Sequence, residues 1–93
     1  MNQTVDHFEQ GFQFPGVFHL SAMGPADRPL ETDLPSLLEG AGVRLMADEE
    51  VICRYSSNKR YVSVRIGFFA ASRAEYEKAH QVLCDHPDVK WTL

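Results

Sequence analysis

Residues 56–69, SSNKRYVSVRIGFF, join a polar segment carrying two cations to a strictly alternating apolar run. Val62, Val64, Ile66 and Phe68 recur at every second position, with Tyr61, Ser63 and Arg65 between them. That period belongs to a strand with one buried face and one open face. The residues ahead of it, SSNK, read as a hairpin turn, because Ser and Asn side chains bond their local backbone and Asn tolerates positive φ. Upstream of the turn, EVICRYS supplies the partner strand, with Val51, Cys53 and Tyr55 on its core side.

Further upstream, FPGVFHLSAMG places Phe14, Phe18, Leu20 and Ala22 on one face, a strand entered through Pro15-Gly16 and stopped at Gly24-Pro25. Leu30, Leu34, Leu37, Leu38 and Ala41 then follow helical spacing. Pro35 inside that stripe would cost roughly 3 kcal/mol in a helix interior. The spacing therefore predicts a short helix capped at Thr32 or Asp33, with Pro35 in its first turn and Gly40 and Gly42 ending it. Downstream of the central strand, Ser72-Arg-Ala-Glu75 is a capping box. Tyr76, Ala79, Val82 and Leu83 form the stripe of the helix it opens, and Pro87 bars continuation. DVKWTL reads as a last strand with Val89, Trp91 and Leu93 toward the core.

The order β-α-β-β-α-β with right-handed crossovers predicts an α+β, two-layer ferredoxin-like sandwich. Four antiparallel strands take the spatial order 4-1-3-2, with both helices on one face. At 93 residues the chain is one domain, read as an N-terminal arm over 1–13 and a body over 14–93. The arm is expected to dock Phe8 or Phe12 on that body. A 44% hydrophobic and 24% charged composition is that of an ordinary globule. The net charge of −4 argues against general affinity for phosphate backbones. Cys53 and Cys84 form no CxxC pair and are expected to be buried, reduced thiols. The first residues show no secretory pattern and no apolar run is long enough to span a bilayer, so a cytoplasmic location is expected.

FPGVFHLSAMG resembles the FP-x-x-F-x-x-x-x-MG opening of the YbeD-like family of small, uncharacterised bacterial proteins. SSNKRYVSV is similar to its S-S-K-G-x-Y-x-S-V hairpin, and HPDVKWTL to its V-x-x-x-L ending. The resemblance runs from Phe14 to Leu93 and implies a βαββαβ fold similar to ACT regulatory domains, which bind small metabolites, usually between paired domains. It supplies no catalytic residues. The sequence departs from the pattern in three places. His19, Leu20 and Ser21 stand where a lysine is usual, Lys59-Arg60 replaces the hairpin glycine, and the segment from Gly24 to Leu34 is longer and richer in proline.

The residues themselves offer several chemistries. His80 and Cys84, four apart with His86 close behind, could begin a zinc site, yet a structural site needs about four ligands. No metal or other cofactor is therefore expected. His19 and Ser63 share the outer sheet face, the ingredients of a small enzyme. An RRM shares this topology. Aligned on Lys59, however, the strand keeps only Tyr61 of its stacking aromatics and has Ser63 and Ile66 at the others, forfeiting roughly 1–3 kcal/mol per lost base. Nucleic acid is accordingly disfavoured as a partner. The expected binding surface comprises His19, Ser56, Ser57, Lys59, Tyr61, Ser63 and Arg65, facing a small metabolite, a protein partner or a second copy. The leading expectation is a non-enzymatic regulatory or adaptor domain.

Overall fold

The computed structural model describes residues 13–92. The chain runs β1 (Gly16–Pro25), α1 (Leu30–Gly40), β2 (Arg44–Leu45), β3 (Ile52–Tyr55), β4 (Tyr61–Ala70), α2 (Arg73–Asp85) and β5 (Trp91–Thr92). The expected arm, apart from Gln13, lies outside the described residues, as does Leu93.

β1 and β4 pair antiparallel along their whole length, from Gly16 opposite Ala70 to Pro25 opposite Tyr61. β5 flanks β1 through Ala22–Thr92 and Met23–Trp91. The far edge of β4 carries two short strands end to end. β2 lies opposite Phe68 and Phe69, and β3 lies opposite residues 62–65. The expected strand order therefore holds, but the sheet has five strands because the second one is split. Pairing continues past β2 only through the Met46 N–H to the Gly67 carbonyl (3.1 Å). Glu49 N–H then turns back to Met46 O (3.2 Å), lifting the chain off the ladder until Ile52.

The alternation in β4 was read in the correct register: Val62, Val64, Ile66 and Phe68 are at most 1% exposed. Leu20 and Ala22 of β1 join them, and Leu30, Leu34, Leu38, Ala79 and Leu83 supply the helix layer. One end of the core is aromatic, with Phe18 5.1 Å from Phe14 and 5.2 Å from Tyr76, measured between ring centroids. Gly24, on the core side of β1, lets the chain after α2 pass at close range. A Cβ there would collide with the Asp88 carbonyl oxygen.

The two helices begin differently. Ser72 Oγ accepts from Glu75 N–H (3.3 Å), as the capping box predicts. The Glu75 carboxylate reaches one residue further back than expected, accepting from Ala71 N–H (2.9 Å). That backbone bond first, and Arg44 at 3.0 Å second, hold the Glu75 carboxyl below its ordinary range. α1 instead starts behind Pro29 with no side-chain cap, so Thr32 and Asp33 lie inside it and Pro35 falls in the second turn. The expected boundary is thus corrected. Pro29 O accepts from Thr32 and Asp33 N–H (3.1 and 2.9 Å), which nucleates the first turn three residues early. The helix closes on Gly42 at φ 90° with the paired bonds Val43 N–H to Leu38 O and Gly42 N–H to Glu39 O, both 3.0 Å.

Both cysteines are exposed, contrary to the expected burial. Cys53 does face the helix side, opposite Val64, but β3 overhangs the helices. Partial desolvation and, next, Glu31 push its thiol pKa up. Cys84 lies beside the stripe rather than in it, its Sγ 3.6 Å from His80 Nε2 and 3.8 Å from Thr92 Oγ1. No helix among the described residues is long and apolar enough to cross a membrane.

Candidate binding face on the open side of the sheet

With both helices on one side, the other face of the β1–β4 ladder is left to solvent. Period-two geometry sends Val17, His19, Ser21 and Met23 to that face from β1, and Tyr61, Ser63 and Arg65 from β4. Ile52 and Arg54 join from β3 through their partners Arg65 and Ser63. β5 corrects the expected pattern. Trp91 pairs with Met23 and lies on the open face, whereas Thr92 pairs with Ala22 and turns to the helices. There its hydroxyl meets His80 Nε2 at 3.0 Å. Val89 precedes the strand and packs on the core, so the alternation extrapolated from it was out of phase with the two residues that pair.

The expected surface residues divide into three groups. His19 lies opposite Gly67, with its Nε2 2.6 Å from Glu49 Oε1. This contact ties the loop between β2 and β3 to the sheet. Ser63 is four ladder positions away, roughly 13 Å along the strand, so the structure does not bring His19 and Ser63 together.

Ser63 and Arg65 belong to a concave patch of about 380 Å³ that also includes Ser21, Ile52 and Arg54. Arg54 and Arg65 are diagonal neighbours across the β3–β4 ladder, a spacing of about 7–8 Å that long side chains bridge. Neither has an acidic partner among the described residues. Two guanidiniums flanked by two hydroxyls can hold a carboxylate or phosphate through charge-assisted bonds.

The third group occupies the end of the sheet. Tyr61 packs edge-on against Trp91, ring centroids 5.6 Å apart. Both line a cleft of about 680 Å³ with Pro25, Ala26, Asp27, Lys59, Arg60 and Lys90. Lys59 takes φ 58°, the position the family hairpin gives to glycine; the positive φ expected of Asn58 falls one residue later. Ser56 serves the turn itself. Its Oγ donates to Asn58 Oδ1 (2.7 Å) and accepts from the Arg60 and Tyr61 amides. Ser57 is exposed on the same turn.

Arg54 and Lys90 are not among the expected site residues, and Trp91, expected in the core, lies on the open face. The signal for Trp91 was available in part. Only two of the described residues pair after Pro87, too few to fix the phase of the strand from the sequence. On α2, His86 turns away from His80 and Cys84 toward Asp33, 3.9 Å off on α1. No group of three or more His, Cys, Asp or Glu side chains among the described residues is arranged to hold a metal.

Residues 9–93 match the family described as protein of unknown function (DUF493). A UPF0250 protein of Xanthomonas axonopodis pv. citri is 57% identical over all 93 residues of both chains. One of Xylella fastidiosa is 58% identical over the same span. The solution structure of protein HP0495 from H. pylori superposes with a TM-score of 0.69 at 17% identity, covering 88% of this chain and 85% of that one, and so shares the fold. The YbeD-like resemblance and these matches agree, and the chain belongs to the DUF493/UPF0250 family of small bacterial α+β proteins.

Proposed function

We propose that the protein is a non-enzymatic, cytoplasmic, ACT-like regulatory or adaptor domain that binds a small anionic ligand on the open face of its sheet. The observation that carries this reading is the Arg54–Arg65 pair with Ser21 and Ser63 around one concavity. Like charges set diagonally across a ladder repel, and a shared anion relieves that repulsion while satisfying both forks. The non-enzymatic part is supported by the separation of His19 from Ser63, four ladder positions apart.

A thermal-shift screen against amino acids and related mono- and dicarboxylic acids tests the proposal, since a ligand of the native state stabilises it by RT ln(1 + [L]/Kd). Acids should raise Tm while their amides do not, and the double variant Arg54→Ala, Arg65→Ala should lose the shift. A shift retained by that variant, or none with any acid, overturns the reading. A shift that depends on protein concentration would instead assign the face to a second copy.

A further inference from the structure

The cleft at the hairpin end of the sheet stands on observations separate from the Arg54–Arg65 patch. In a chain with net charge −4, Lys59, Arg60 and Lys90 converge there, against Asp27 as the one acid lining the cleft. None of the three has an ion-pair partner among the described residues. Two aromatic side chains share the wall, and Trp91 is left 53% exposed on a strand of two residues. A tryptophan so placed adds little to the core, where a chain this small has most use for it.

We infer that this cleft is a second binding site, for a small molecule that carries an anionic group on a planar ring. The ring lies against Trp91 and Tyr61, whose edge-on packing leaves indole surface open to a third ring. The anion sits among Lys59, Arg60 and Lys90, contributed by the hairpin and by the approach to β5. Cations beside an aromatic wall select for both parts of such a ligand at once. A free ring lacks the charge, and a free anion lacks the stacking. Nucleoside monophosphates and aromatic carboxylates share this chemistry.

Trp91 is the single tryptophan of the chain, so its emission reports the site directly. Titrations of the full chain would use adenosine 5′-monophosphate, benzoate, adenosine and inorganic phosphate. Saturable quenching by the monophosphate or by benzoate is expected, with adenosine and phosphate each weaker by at least about tenfold. The tighter of the two ring-bearing anions identifies the source. The variant Lys59→Ala, Lys90→Ala, shown folded by circular dichroism, should weaken the better ligand by about tenfold or more. Arg54→Ala, Arg65→Ala should leave it unchanged, which separates this site from the patch above. Quenching by phosphate as tight as by either ring-bearing anion, or none by any probe, overturns the assignment. So does tighter binding of a pyrimidine oligonucleotide, which would make the cleft the end of a nucleic-acid track.

Discussion

The two faces of the β1–β4 ladder use the same two strands and opposite rules. On the helix side, Val62, Val64, Ile66 and Phe68 are sealed and any change of volume is felt. On the open side, Tyr61, Ser63 and Arg65 are placed by the backbone register and by surface contacts such as Tyr61 on Trp91, leaving their chemistry freer to vary. The core rests on one face, and the proposed binding residues lie on the other.

The sharpest way to break this division is Gly24→Ala. Its Cβ would meet the backbone oxygen of Asp88, which cannot swing aside as a side chain can, so a loss of about 3 kcal/mol or more is expected in denaturant titration. Val64→Ala should cost about 2 kcal/mol through the cavity it leaves. Pro35→Ala should change stability in the other direction. Restoring the missing bond to the Glu31 carbonyl in the second turn of α1 should gain about 1–2 kcal/mol, and no gain would return Pro35 to the first turn. The double variant Tyr61→Ala, Arg65→Ala should cost no more than about 1 kcal/mol, from cross-strand contacts. A cost above that of Val64→Ala would erase the distinction between the faces. Smallest of all, Lys59→Gly should gain about 0.5 kcal/mol, as relief of the left-handed conformation slightly exceeds the added freedom of the unfolded chain.

The register of β4, the strand order and the start of α2 were legible because each rests on a local signal that tertiary structure reinforced. Alternation runs through the full strand, and Ser72 lies three residues before Glu75. The start of α1 was not legible, because preference rules weigh Thr32 and Asp33 as caps while the observed first turn uses the Pro29 carbonyl. Exposure of Cys53 depends on how far the helices extend over β3, which spacing along the chain does not encode. The candidate face was half legible. Tyr61, Lys59, Ser63 and Arg65 were found from alternation and the hairpin, and Trp91 was lost to an error of one residue in phase, which in a strand reverses the face. His19 was correctly placed on the open face, but its partner, Glu49, comes from the loop that splits the second strand.

That split has a further effect. Unpaired N–H and C=O groups on an outer strand are templates for indefinite addition of further chains, and cells select against long ones. Here the border outside β4 is broken into runs of two and four by the loop pinned through Glu49 to His19. Neither run on that border is long enough to seed a growing ribbon. Along that border, strand-by-strand addition of further copies is therefore disfavoured.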